Sequence, residues 1–194
     1  YHAADRYCML GDYTPPVPES ECVTVLQGMK QEAPDGVKVS YAMGSGFSEA
    51  DEHEKAKAMA LAEESDVIVA VVGGSSSRFG GAVFDANGAA SKGTGSRSMD
   101  CGEGMDTAKV HIPAAQEELI AALARLGKPL VTVVIAGRAY CIEKIENASD
   151  AVLYAFYPGP MGGRAVAELL YGSSNPSGRL PVSMPRHEGQ IPVC

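Results

Sequence analysis

The sequence predicts an α/β domain, a mostly parallel sheet with helices on both faces (an α/β sandwich). Two apolar runs, Val67-Ile-Val-Ala-Val-Val72 and Leu130-Val-Thr-Val-Val-Ile135, lack polar alternation and suit strands buried on both faces. Helical segments alternate with strand segments, the order that right-handed βαβ crossovers require. Glycines at 127 and 172 follow two of the helical segments, where a chain leaves a helix through the left-handed region.

The elements are expected in this order. Glu19 to about Gln31 reads as a helix, with Val23, Leu26 and Met29 at helical spacing. Val37-Lys-Val-Ser-Tyr41 alternates and predicts a strand. Ser48 to about Glu64 is a charged, Ala-rich helix; Ser48 stands where an N-cap would, and Asp51 and Lys55 pair at i,i+4. Strand 67–72 follows. Pro113 then opens a helix whose apolar stripe is Leu119, Ile120, Leu123 and Leu126, ended by Gly127. After strand 130–135 come a short helix from Cys141 to Asn147, a strand from Ala151 to Phe156, and a helix from Gly162 to Leu170 that stops at Gly172. Between strand 67–72 and Pro113, residues 73–112 form a Gly-, Ser- and Ala-rich stretch without clear periodicity. Loops of about forty residues are uncommon and often functional. This one leaves the carboxyl end of a strand, where parallel sheets gather their ligands.

Composition narrows the function. The chain has 194 residues, enough for one domain with an ordinary core. A net charge of −8 argues against nucleic acid, whose phosphates need clustered Lys and Arg. No apolar run reaches the length of a membrane span. Five cysteines (Cys8, Cys22, Cys101, Cys141, Cys194) show no CxxC spacing, which fits free or buried thiols and a cytoplasmic setting. The Asn147-Ala-Ser149 triplet is a formal glycosylation sequon of a kind that arises by chance, and it matters only in a secretory route.

Few chemical motifs are present. Gly44-Ser-Gly46 begins like a dinucleotide fingerprint, but Glu49 stands where the third glycine belongs, so a tight turn explains the pair. There is no Walker A motif and no GxSxG elbow. His2, His53, His111 and His187 lie far apart with no HExxH, so neither a metal nor a cofactor is expected. The segment that stands out is Cys101-Gly-Glu-Gly-Met-Asp106. Flanking glycines let a backbone approach a ligand closely and leave Glu103 free to be aimed. A carboxylate so placed is a candidate general acid/base, against the plainer reading of a solvated loop glutamate. Cys101 as a nucleophile would need a histidine partner that the sequence does not assign.

The run CGEGMDTAKVHIPAAQEELIAALARLGKPLVTVVIAGRAY closely resembles the family 3 glycoside hydrolase pattern of a GEG-D segment, an LP-x-x-Q helix, GKP-V-V-V and GRP. The stretch DAVLYAFYPGPMGGRAVAELLYGSSNPSGRLPVSMPRHEGQIPV resembles that family's C-terminal signature, and LGDYTPP and VKVSYAMGSG resemble its earlier landmarks. The resemblance covers nearly all of residues 1–194 and identifies them as the family's C-terminal α/β domain. Both ends fall short of the pattern: members usually carry an IAVIGP-type strand before LGDY and continue past Cys194 as IPVYYN, so the domain is expected to be truncated. Arg138-Ala139 stands for the commoner Arg-Pro.

The resemblance implies a retaining β-glucosidase or β-xylosidase, with two carboxyl groups acting on a β-linked glucoside or xyloside. The family's nucleophile is an Asp in an N-terminal TIM barrel that this sequence does not contain. Glu103 resembles the acid/base, by its place before the IPAAQ helix. Arg78, Asp85 and Arg97, in the segment SSSRFGGAVFDANGAASKGTGSRSMD characteristic of a subset, are expected to line the sugar site. The rival expectation is a non-catalytic sugar-binding or scaffold module that closes over the barrel; a stand-alone nucleotide-binding domain lacks every phosphate motif. The domain alone is expected to be inactive.

Overall fold

The computed structural model describes residues 1–15, 17–76, 83–84, 90–91, 99–103 and 105–192, with 83–84 and 90–91 described by their backbone only. A 3₁₀ turn, His2–Ala4, leads into α1, Arg6–Leu10. The Asp5 carboxylate caps α1 by accepting the N–H groups of Tyr7 at 2.8 Å and Cys8 at 3.3 Å. The helix expected from Glu19 divides into a 3₁₀ turn at Glu19–Glu21 and α2, Val25–Gln31. Thr24 causes the break. Its hydroxyl accepts the Gln27 N–H, while the Gln27 side chain accepts the Thr24 N–H at 2.8 Å. Such a capping box fixes where a helix begins. Helix α3 spans Glu52–Glu63 and is capped by Asp51, not Ser48. The Asp51 carboxylate reaches the N–H groups of His53 and Glu54, both at 3.0 Å, and the Ser48 hydroxyl turns to Glu49 instead.

Strand β1, Ile68–Gly73, comes next, then the short antiparallel pair β2, Val83–Phe84, and β3, Ala90–Ser91. Helix α4 spans Ala114–Ala124, with Pro113 at its N-cap, one position earlier than expected. It is followed by β4, Leu130–Ile135; α5, Glu143–Ala148; β5, Ala151–Tyr154; and α6, Gly162–Leu170. The sheet runs β1-β4-β5, parallel throughout, with Ile68 opposite Leu130 and Val131 opposite Ala151.

Helices cover both faces, as period-2 alternation requires. Ile68, Ala70, Val72, Leu130 and Val134 pack with Ala62 of α3, Leu119, Ile120 and Leu123 of α4, and Ile145 of α5. Val69, Val71, Val133 and Ile135 face the other way, against Met9 of α1, Val25 and Met29 of α2, and Val166 and Leu170 of α6. Helices α2 and α6 meet backbone to backbone. A Cβ on Gly28 would lie 2.1 Å from the Gly163 carbonyl, and one on Gly163 would lie 2.1 Å from the Thr24 carbonyl.

The strand expected over Val37–Tyr41 does not form. Its residues line one wall of a groove of about 680 Å³ whose other wall holds Val67, Val69 and Val71 of the β1 edge. Alternating residues make a strand only when a neighbour completes the ladder. Among the described residues no backbone hydrogen bond joins this segment to β1, so no ladder forms.

Candidate active site

The candidate site forms where β1 and β4 end, and glycines bring the chains together there. Gly73 has φ +155°, and a Cβ on it would sit 1.7 Å from the Ile135 carbonyl oxygen. A Cβ on Gly74 would sit 2.1 Å from the Tyr140 hydroxyl. This close approach lets the post-β1 turn, Ser75 and Ser76, be buried beneath the returning loop. Gln116 of α4 locks the turn from below. Its side-chain oxygen accepts the Gly73 N–H at 2.8 Å, and its amide donates to the carbonyls of Phe47 at 2.7 Å and Gly73 at 3.1 Å.

The loop returns at Asp100. Its carboxylate accepts the Ser75 N–H at 2.8 Å through Oδ1 and the Tyr140 hydroxyl at 2.6 Å through Oδ2, while the Asp100 N–H donates to the Ser75 carbonyl at 3.0 Å. Burial, followed by the Asp100 charge, holds the Tyr140 phenol above its ordinary ionisation range, so it donates. The next residue, Cys101, is buried and shares a 3.0 Å hydrogen bond with the Tyr157 hydroxyl. Gly102, at φ +106°, passes within contact of Ser76 and the Asp12 carboxylate.

After these three anchored residues Glu103 emerges exposed. Its N–H donates to Asp12 Oδ2 across 3.5 Å, and its Oε2 accepts a hydrogen bond from the Tyr13 hydroxyl. An exposed carboxylate on a pinned loop, at the carboxyl edge of a parallel sheet, can give or take a proton from a ligand placed against that edge. Cys101 is unsuited to nucleophilic work, because burial pushes its thiol up, away from the reactive thiolate. Arg78, Asp85 and Arg97 lie outside the described residues.

Sequence reasoning selected Glu103 but missed Asp100, Tyr140, Tyr157, Asp12 and Tyr13. Their partners lie 25 to 91 positions away, beyond any local pattern. The signals available were the acidic residue just before the Cys-Gly-Glu-Gly segment and the LGDYTPP landmark that holds Asp12 and Tyr13. Among the described residues no group of His, Cys, Asp and Glu is placed to hold a metal ion, and no helix is long and apolar enough to cross a membrane.

Residues 2–193 match the glycosyl hydrolase family 3 C-terminal domain. Among curated relatives, a β-xylosidase of Formosa agariphila is 33% identical over 96% of this chain and 22% of its own length. A periplasmic β-glucosidase of Salmonella typhimurium is 33% identical over 95% of this chain and 24% of its own. The chain therefore spans under a quarter of these relatives. Among solved structures, a β-glucosidase of Listeria innocua in complex with gluconolactone superposes with a TM-score of 0.77, at 30% identity, over 99% of this chain and 23% of that one.

Proposed function

The chain belongs to the glycosyl hydrolase family 3 C-terminal domain family, and from that premise we propose that it supplies the general acid/base, Glu103, to a retaining β-glycosidase site shared with an N-terminal barrel. The observation that carries the proposal is the presentation of Glu103, exposed at the carboxyl edge of the sheet on a backbone anchored through Asp100, Cys101 and Gly102. In this reading the substrate is a β-linked glucoside or xyloside, the classes named for the relatives.

A retaining mechanism needs two carboxyl groups about 5–5.5 Å apart on either side of the scissile bond. A nucleophile on the barrel attacks the anomeric carbon while Glu103 protonates the departing glycosidic oxygen. Glu103, now a carboxylate, then takes a proton from the water that hydrolyses the glycosyl intermediate. The closing of barrel against domain would strip water from the carboxyl edge and strengthen these interactions.

Glu103→Gln in a full-length enzyme carrying this domain tests the role. We expect kcat/KM to fall by about 10²- to 10⁴-fold on alkyl glycosides and far less on dinitrophenyl glycosides, whose leaving groups need no proton. We expect added azide to restore turnover of the activated substrate as a β-glycosyl azide. A uniform fall across leaving groups, without azide rescue, would assign the domain to closing over the sugar without catalysis.

A further inference from the structure

We infer that Tyr13 is a positioning residue for Glu103, fixing which carboxyl oxygen carries the transferred proton; this rests on the acid/base reading of Glu103 given above. The inference begins with a conformational cost. Tyr13 lies in the left-handed region at φ +56°, a place that bulky residues rarely occupy. Such backbone conformations persist where the surroundings over-determine them, and they cluster at functional sites. Burial does not account for it here, since Tyr13 is 76% exposed.

The turn that carries Tyr13 is built to aim it. Gly11, at φ +72°, lies so close to the Tyr157 ring that a Cβ would be 2.7 Å from it. The Asp12 N–H donates to Ser76 Oγ at 3.1 Å, while the Asp12 carboxylate faces the N–H of Glu103. The Thr14 hydroxyl donates to the Leu10 carbonyl at 2.6 Å, closing the turn behind Tyr13. Residues 11–14 are thus tied to the same post-β1 turn as residues 100–102. The tyrosine and the glutamate meet because one platform holds both.

The chemistry of the contact follows. An exposed glutamate between two glycines has many rotamers, and an acid that must meet one oxygen of a substrate loses rate in most of them. The Tyr13 hydroxyl donates to Oε2. That oxygen is then occupied as an acceptor, so in the neutral acid the proton resides on Oε1. When it passes to the glycosidic oxygen, the C–O bond breaks and the leaving group departs as an alcohol. The charge left on Glu103 is still met by the Tyr13 hydrogen bond, and no proton leaves Tyr13. Among the described residues, Asp12 grips the Glu103 backbone and the Arg138 guanidinium donates to the Met105 carbonyl two residues on.

The test uses Tyr13→Phe, Glu103→Gln and the double variant in the full-length enzyme, with kcat/KM measured on aryl and alkyl β-glycosides of graded leaving-group basicity. Losing one hydrogen bond to a charged group should lower kcat/KM about tenfold on poor leaving groups and leave dinitrophenyl glycosides within about twofold. In the Glu103→Gln background the Tyr13→Phe loss should vanish, as coupled residues require. No loss, an equal loss on every leaving group, or full additivity with Glu103→Gln overturns the role of Tyr13 while leaving that of Glu103 standing. Leaving-group independence of Glu103→Gln itself overturns both.

Discussion

Cys101 sits two residues from the candidate acid, yet its surroundings make it inert. Burial raises its thiol, and the hydrogen bond with Tyr157 only partly opposes this. The other described cysteines share its fate: Cys8 is pushed up to about 12, again chiefly by burial, and Cys22 and Cys141 are raised for the same reason. Iodoacetamide at pH 8 should therefore leave Cys8, Cys22, Cys101 and Cys141 unmodified in the native protein and label all four in urea, as read by mass spectrometry. His2 offers a matching test with acid. It is fully buried, its Nε2 lies 3.3 Å from the Gly74 carbonyl oxygen, and its Nδ1 has no hydrogen-bond partner among the described residues. Burial pushes its pKa down to about 3. Between that value and the ordinary 6.5 or so, the unfolded chain binds the proton and the folded chain does not, so stability falls as pH drops through this window. By this linkage, acidification from pH 7 to 5 should remove about 2 kcal/mol through His2 alone, and urea melts of a His2→Phe variant should lack that component.

The elements were readable to the degree that local chemistry decided them. The apolar run 130–135 became β4 without change, and Gly162–Leu170 became α6, because burial on two faces and a 3.6-residue period leave little else for those sequences to do. Two errors have local causes that were in plain view: Thr24 and Gln27 stand at capping-box spacing, and Asp51 competes with Ser48 as a cap. The failure at Val37–Tyr41 is different, since a strand depends on what lies beside it. The helix contact made by Gly28 and Gly163 was equally invisible, because two glycines 135 positions apart carry no shared pattern. It is nevertheless decisive for packing. Gly28→Ala or Gly163→Ala should destabilise by about 1–3 kcal/mol through overpacking, with the double variant less than additive, as read from urea unfolding. Gln116 is the polar counterpart. Gln116→Leu strands the Gly73 N–H and the Phe47 carbonyl, and should cost about 2–4 kcal/mol, measured the same way. Glu103 was legible as a candidate from its flanking glycines and family pattern, whereas the contacts that join residues 11–14, 75–76 and 100–103 link distant segments and have no local pattern.

At the scale of the molecule, the proposed shared site needs a second carboxylate from outside residues 1–194. An acid/base carboxylate without a nucleophile across the bond cannot complete a retaining cycle. Residues 1–194 alone should therefore show no turnover of an aryl β-glucoside above the uncatalysed rate, and enzyme-dependent hydrolysis at stoichiometric significance would count against a shared site. Among the described residues β1 pairs on one side only, with β4, and within residues 1–194 this sets how its amide protons exchange. The Ile68 N–H donates to Pro129 and the Gly74 N–H to Ile135, so by alternation the amides of Ala70 and Val72 also point into the β4 ladder. Those of Val69 and Val71 point the other way, into the groove, and that of Gly73 is held by Gln116. In deuterated buffer β1 should therefore label like a comb: Val69 and Val71 within the time typical of solvated loops, their neighbours only as fast as the domain unfolds.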